Sequence, residues 1–136
     1  MKIFFVAPKR YVGMYRFPLG ALYVTMALER VGCSVKFLDL QILSQDTVLN
    51  VIKVHQPKFI LSGFFSYNAF EMLKFIKKIK KVSPNSIIVI GSYHPSAMYQ
   101  SILSKYPVDI IVLNRGEKKI LDIINMNSKE DLRKIP

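Results

Sequence analysis

Three glycines in this chain lie at or shortly beyond the ends of apolar runs, where a ligand could reach the backbone. They are Gly63, Gly91 and Gly116. Glycine has no side chain, so a large flat or elongated ligand could approach the backbone there without steric cost. A basic and aromatic segment, Lys9 to Phe17, follows another apolar run and adds candidate ligand contacts. These residues indicate a binding crevice, although each glycine could also be an ordinary turn residue.

The residue types in this crevice do not support the common catalytic chemistries. Pro8 to Gly13 supplies a single glycine where a dinucleotide fold needs Gly-x-Gly-x-x-Gly, and the chain has no Walker phosphate loop. A phospho-acceptor receiver domain would need acids after the first strand and an aspartate ending the third, but the chain has Ala7-Pro8-Lys9 and Ser62-Gly63 there. Glu117 is the only acid in the predicted crevice loops. We expect no catalysis by this chain alone.

Cysteine usage and hydropathy limit the chain further. Cys33 is the only cysteine, which excludes an internal disulfide and a cysteine-based metal cluster within the chain. No run approaches the roughly 18 to 20 apolar residues that cross a bilayer. Met1-Lys2 leads into an apolar strand without a cleavage site, so a secretory signal is not expected. The prediction is a soluble protein of the reducing cytoplasm.

The net charge of +11 raises the question of a nucleic-acid partner. Five lysines lie on one predicted helix, at positions 74, 77, 78, 80 and 81. The other face of that helix carries Phe70, Leu73, Ile76 and Ile79. Such a pattern is typical of a solvated helix back, and the alternative is a site for a phosphate-rich or acidic partner. We expect only weak, nonspecific nucleic-acid binding.

The crevice residues are positioned by alternating strands and helices. Ile87 to Ile90 is an unbroken β-branched run, which predicts a central parallel strand covered on both faces. The other strands are predicted at 2–7, 35–40, 58–61 and 109–113. Helices are predicted from Pro18 to before Gly32, at 45–55, at 68–82, at 97–105 and through 120–124.

This alternation predicts a flavodoxin-like, three-layer α/β/α domain with a five-stranded parallel sheet in the order 2-1-3-4-5. The domain is expected to span residues 1–126, and the polar residues 127–136 to lead towards a further domain. Ligands in such sheets bind at the carboxyl ends of the strands. The loops there are Lys9 to Phe17, Gln41 to Ser44, Ser62 to Tyr67, Gly91 to Ser96 and Asn114 to Glu117.

Several finer expectations concern the helices. The first helix is predicted to bury Leu19, Leu22, Tyr23, Met26 and Ala27, and to end at Gly32 as a C-cap. His55 is expected to cap the C-terminus of the second helix. Ser66 or Asn68 is expected to cap the lysine-rich helix.

The order and spacing of several short motifs resemble the cobalamin (B12)-binding domain that precedes the catalytic core of radical SAM enzymes. The motifs are Phe17-Pro18-Leu19-Gly20-Ala21-Leu22-Tyr23, Gly32 with Asp39, Ser62-Gly63, Ile90-Gly91-Ser92-Tyr93-His94-Pro95, Val108-Asp109 and Arg115-Gly116-Glu117. The resemblance covers nearly the whole chain.

The resemblance implies that the chain binds cobalamin and that Ser62, Gly91 and Ser92 help to house its nucleotide tail. The full set of implied contacts is Lys9, Arg10, Phe17, Leu19, Ser62, Gly63, Phe64, Gly91, Ser92, Tyr93, His94, Arg115, Gly116 and Glu117. An iron–sulfur cluster and S-adenosylmethionine are implied only for a C-terminal radical SAM domain. That domain would be the partner of this one and lie beyond Pro136.

Two positions depart from the wider cobalamin family. The Asp-x-His-x-x-Gly motif, which supplies a cobalt-ligating histidine in mutases and methionine synthase, is missing, so bound cobalamin is expected without that ligand. The second glycine of the pair after the fourth strand is Ser92, whose side chain could crowd the tail. His94 could ligate cobalt, but a hydrogen-bonding structural role is the preferred interpretation.

The resulting hypothesis is a cobalamin-binding, substrate-positioning accessory domain of a radical SAM enzyme, with a methyltransferase as one candidate parent. The alternative is an interaction or nucleotide-binding module of the same fold that does not bind cobalamin.

Overall fold

The computed structural model describes residues 1–10, 19–114 and 116–126. In this part of the chain, five strands form one parallel sheet in the order β2-β1-β3-β4-β5, as predicted. The strands are β1 Lys2–Ala7, β2 Ser34–Asp39, β3 Phe59–Gly63, β4 Ile87–Gly91 and β5 Ile110–Ile111. The helices are α1 Leu19–Arg30, α2 Gln45–His55, α3 Ser66–Val82, α4 Tyr93–Ala97, α5 Tyr99–Lys105 and α6 Glu117–Ile124. No helix within the described ranges is long and apolar enough to cross a membrane.

The β-branched run of β4 lies between two hydrophobic cores. Ile88 and Ile90 belong to the core that also contains buried residues of α2 and α3. Val89, on the opposite face, belongs to the core that contains buried residues of α1 and α6. Successive side chains of a strand point to opposite faces, so an uninterrupted apolar run fills both cores at once. The prediction of a strand covered on both faces is confirmed.

Helix α1 buries a different face from the one predicted. Tyr23 and Met26 are 59% and 47% exposed, whereas Thr25 and Leu28 are buried. Ala21 and Val24 also pack against the core. Because α1 is apolar around most of its circumference, more than one of its faces could be buried. Its contacts with β2 and α6 determine that the face containing Leu28 is the buried one.

Helix α3 also departs in part from its predicted faces. Leu73, Ile76 and Ile79 are buried as expected, but Phe70 is 66% exposed and lies on the lysine-rich side of the helix, with the Lys74 ammonium 4.3 Å from its ring centroid. Lys80, predicted to face water, is half-buried, and its Nζ lies 2.9 Å from Asp109 Oδ2 and donates to the Ser86 carbonyl at 2.7 Å. The long side chain of Lys80 reaches a carboxylate on a distant segment of the chain. The spacing of apolar residues along α3 does not reveal such a contact.

The segments around β4 and β5 are shorter and more broken than expected. Strand β5 spans only Ile110–Ile111 of the predicted 109–113, since it is an edge strand with a single neighbour. The helix predicted at 97–105 corresponds to α5, and a further short helix, α4, precedes it where a loop was predicted. Pro95 lies in the first turn of α4, where a missing backbone N–H is tolerated.

The residues predicted to cap α1, α2 and α3 make capping contacts in the structure. Gly32 has φ +85° and donates its N–H to the Glu29 carbonyl at 3.0 Å, which confirms the C-cap of α1. His55 Nδ1 lies 3.0 Å from the Val51 carbonyl oxygen in the last turn of α2. Helix α3 begins at Ser66, two residues earlier than predicted, and Asn68 Oδ1 accepts the Phe65 N–H at 2.9 Å. The N-terminal cap of α3 is therefore supplied by Asn68.

Candidate ligand-binding crevice

The carboxyl ends of β3 and β4 meet at a pair of glycines in register, Gly63 opposite Gly91. A Cβ added at Gly63 would lie 3.4 Å from the Gly91 carbonyl oxygen and from Ser92 Cβ, and one at Gly91 would lie 3.5 Å from the Val112 carbonyl oxygen. These are ordinary contact distances, and neither glycine has a positive φ. Local conformation and packing therefore do not demand glycine at either position. The bare strand ends fit the predicted close approach of a ligand.

Gly116 differs from this pair. A Cβ there would lie 3.3 Å from Val112 Cγ1, so the close packing of the β5–α6 connection is itself a reason for glycine. The neighbouring Asn114 has φ +63°, and its N–H donates to Ser96 Oγ at 3.2 Å. This hydrogen bond joins the exit of β5 to α4, so two of the predicted crevice loops are in contact.

Ser92, directly after β4, has a backbone conformation that normally requires glycine. Its φ of +81° and ψ of −171° fall in a region that residues with a Cβ rarely adopt. This conformation turns the chain from β4 into α4 and places Ser92 Cβ close to Gly63. The Gly91-Ser92 backbone therefore has the shape of a glycine pair, with one side chain added.

Ser62 occupies the end of β3 but is buried. Its Oγ donates to the Val6 carbonyl at 2.8 Å, which links β3 to β1. The hydroxyl proton is thus used inside the sheet, while the oxygen retains acceptor capacity. Phe64 is fully buried in the core next to α3, so its side chain supports the fold at this position.

The basic loop after β1 begins with two residues in different environments. Arg10 Nη2 lies 2.7 Å from Asp39 Oδ2, and both side chains are largely buried. The Arg10 N–H also donates to Gln41 Oε1 at 2.7 Å, and Asp39 Oδ1 accepts the Gln41 N–H at 2.9 Å. This network joins the exits of β1 and β2 and neutralises the guanidinium. Lys9 is exposed and keeps its charge available.

A cleft of about 360 Å³ opens beside this network. It is lined by Pro8, Lys9, Leu40, Gln41, Ile42, Leu43, Ser44, Gln45, Asn68, Glu71 and Met72. The sequence predicted the contribution of the loop from Gln41 to Ser44, but not those of Asn68 and Glu71. Both lie early in α3, and the pairing order of the strands brings that helix beside the exits of β1 and β2.

His94 lies at the start of α4 with a defined partner. Its Nδ1 is 3.1 Å from Ser66 Oγ, and its ring centroid is 6.2 Å from that of Phe64. The hydrogen bond joins α4 to α3, as the preferred structural interpretation predicted. Among the residues that the structure describes, no group of three or more histidine, cysteine, aspartate or glutamate side chains could hold a metal ion.

Three exposed aromatic side chains cluster at the exits of β3 and β4. The Phe65 ring centroid lies 5.8 Å from that of Tyr67 and 5.5 Å from that of Tyr93, with interplanar angles of 8° and 24°. Tyr93 was among the predicted contacts, whereas Phe65 and Tyr67 were not. Their signal in the sequence is that Phe65 and Tyr93 each lie two residues beyond a strand-ending glycine.

Four of the predicted contacts remain. Glu117 is the first residue of α6 and is partly exposed. Phe17, Arg115 and the side chain of Leu19 lie outside the described residues.

Comparison with known proteins gives one family and several relatives. A family model described as the B12 binding domain matches residues 9–124. The chain is 26% identical to cytidylyl-2-hydroxyethylphosphonate methyltransferase of Streptomyces wedmorensis, in a match covering 85% of the chain and 26% of that enzyme. It is 23% identical to anaerobic magnesium-protoporphyrin IX monomethyl ester cyclase of Cereibacter sphaeroides, in a match covering 91% of the chain and 22% of that enzyme.

Among solved structures, the fold is similar to the radical S-adenosylmethionine methyltransferase TsrM from Kitasatospora setae with cobalamin and a [4Fe-4S] cluster bound. The TM-score is 0.77 at 21% identity, and the match covers 90% of the chain and 24% of TsrM. The chain thus spans about a quarter of the length of these relatives.

Proposed function

The chain belongs to the B12-binding domain family, and on this premise we propose that it binds cobalamin as an accessory domain of a radical SAM enzyme. The observation that carries the proposal is the glycine pair Gly63 and Gly91, which neither backbone conformation nor packing explains. Ser92 extends the pair with a glycine-type backbone. These residues fit a ligand that lies directly against the ends of two neighbouring strands.

The nucleotide tail of cobalamin is proposed to lie at Ser62, Gly63, Gly91 and Ser92. The tail carries a phosphate, and Lys9 is an exposed cation at the same edge of the sheet. Arg10 contributes differently, because its charge is already paired with Asp39. Arg10 therefore holds the loop after β1 in place, while Lys9 is available to attract the phosphate.

We further propose that cobalamin binds in a base-off form without a histidine ligand to cobalt. The chain lacks the Asp-x-His-x-x-Gly motif that supplies such a ligand. Bound cobalamin would supply a cobalt centre suited to methyl-group or radical chemistry. The contribution of the chain is to hold the cofactor and position it against a substrate.

The parent enzyme is proposed to contain a separate radical SAM domain that carries an iron–sulfur cluster and S-adenosylmethionine. Such a cluster needs several thiolates, and Cys33 is the single cysteine of this chain. One relative is named a methyltransferase and another a cyclase, so methyl transfer is one candidate reaction for the parent.

Two observations favour the alternative of a module that does not bind cobalamin. The Ser92 side chain lies beside Gly63, where the tail would approach, and Arg10 is neutralised. Both features reduce the space and the charge that a phosphate-bearing tail would use. A domain of the same fold with another partner would tolerate them.

Titration with hydroxocobalamin, followed by its visible spectrum and by co-elution on gel filtration, tests the proposal. We expect binding by the wild-type chain, and weaker binding by Gly63→Ala and Gly91→Ala. Overpacking by a methyl group against the ligand costs about 1–3 kcal/mol, roughly a 5- to 150-fold loss of affinity. Gly20→Ala, where an added Cβ meets no atom within 4 Å, is the matched control and should bind like wild type. Absence of association at high micromolar cobalamin would favour the alternative module.

A further inference from the structure

The aromatic cluster of Phe65, Tyr67 and Tyr93 is not explained by core packing. The three side chains are 44%, 40% and 78% exposed, although aromatic rings of this size gain most by burial. Phe65 stacks on both of the other rings, so the three form one connected unit. An exposed apolar cluster of this kind usually marks a contact surface.

The position of this aromatic cluster relates it to the glycine pair. Phe65 and Tyr93 each follow a paired glycine by two residues, so their stacked rings bridge the exits of β3 and β4. The hydrogen bond between His94 and Ser66 joins the same two helix starts. The rings are therefore held in place before any ligand arrives, which reduces the ordering cost of binding.

Other exposed aromatic residues in the described part of the chain have different surroundings. Phe70 lies one turn further along α3, and the Lys74 ammonium lies 4.3 Å from its ring centroid. Tyr23 is exposed on α1, and the Tyr99 hydroxyl in α5 accepts a hydrogen bond from Gln100 Nε2 at 3.3 Å. The aromatic cluster is thus distinguished by its stacking and by its place next to the bare strand ends.

The size of the aromatic cluster favours a small flat ligand over a protein partner. At these exposures the three side chains together have a solvent-accessible surface on the order of 300 Å². A standard protein interface needs about 800 Å² on each partner. The flat face of a single macrocycle is closer to the area that the cluster can cover.

We propose that Phe65, Tyr67 and Tyr93 form a platform for the apolar face of the corrin ring, while the glycine pair receives the nucleotide tail. This assignment rests on the proposed function. It divides recognition of cobalamin between two neighbouring surfaces, one apolar and one of bare backbone. The stacked arrangement presents ring faces and edges with little loss of side-chain freedom on binding.

Substitution of the exposed rings tests the platform. Tyr93→Ser and Phe65→Ser should weaken hydroxocobalamin binding by roughly 2- to 12-fold each, the effect expected for the loss of one aromatic contact. The double variant Tyr67→Ser/Tyr93→Ser should lose more affinity for hydroxocobalamin than Tyr93→Ser alone. The circular dichroism that the protein induces in the visible bands of bound cobalamin should also change, because the asymmetric surroundings of the corrin ring are altered.

Phe70→Ser is the matched control, since it removes an exposed aromatic ring from the same helix away from the glycine pair. It should bind cobalamin like wild type. Unchanged affinity and unchanged induced dichroism in the platform variants, with wild-type binding intact, would overturn the platform and leave the proposed function standing. Failure of the wild-type chain to bind cobalamin would overturn both.

Discussion

Replacement of Ser92 by glycine is expected to stabilise the protein. Ser92 has φ +81° and ψ −171°, and a residue with a Cβ in this region stores about 1–3 kcal/mol of strain. Glycine relieves the strain but adds about 0.5–1 kcal/mol of conformational entropy to the unfolded chain. The net gain in the free energy of unfolding is therefore at most about 2.5 kcal/mol. For a domain of this size, that upper limit corresponds to a rise in Tm of roughly 10 °C.

Urea denaturation followed by circular dichroism measures this gain directly. Ser92→Ala is the matched control, because it removes the hydroxyl and keeps the Cβ that causes the strain. It should stay within about 0.5 kcal/mol of wild type. Gly32→Ala is the reciprocal case, since Gly32 has φ +85° and an added Cβ would meet no atom within 4 Å. It should destabilise the protein by about 1–2 kcal/mol through conformation alone. A Ser92→Gly protein that is less stable than wild type, or equal stabilisation by Ser92→Ala, would refute the strain argument.

Two further predictions concern packing and the half-buried ion pair, each checked by urea denaturation. Leu28→Ala should lower the free energy of unfolding by about 2–5 kcal/mol, because Leu28 is buried. Met26→Ala should change it by less than about 1 kcal/mol, because Met26 is 47% exposed. A larger effect of Met26→Ala would instead support the buried face of α1 predicted from the sequence. Lys80→Met should destabilise by about 1.5–3 kcal/mol, because it removes charged hydrogen bonds to Asp109 and the Ser86 carbonyl, and the exposed Lys81→Met should stay within about 0.5 kcal/mol. Equal effects of the two lysine substitutions would contradict a specific role for Lys80.

The backbone plan of this protein could be predicted because each strand is a short apolar run with a clear end. The limits of β1 at Lys2–Ala7 and of α2 at Gln45–His55 agree with the sequence to the residue. The resemblance seen in the motifs is likewise confirmed by the family model over residues 9–124. The buried face of α1 could not be predicted, because a helix that is apolar on several faces needs its neighbours to choose one.

The details of the candidate site depended on contacts between distant segments. The pairing of Arg10 with Asp39 arises because β1 and β2 are neighbours, and nothing local to either residue indicates it. The aromatic cluster joins residues from two loops in the same way. Ser92 is a different case, because the resemblance placed it at the second position of a glycine pair, whereas the serine residue type alone does not indicate its positive φ.

Comparison of cobalamin with cobinamide, which has the corrin ring but lacks the nucleotide tail, tests the central claim most directly. Equilibrium dialysis against the wild-type chain should give one cobalamin per chain. It should also give at least about tenfold weaker binding of cobinamide, since the glycine pair and Lys9 would then have no tail to contact. No retention of cobalamin, or equal affinity for the two compounds, would contradict a tail site at Gly63, Gly91 and Ser92.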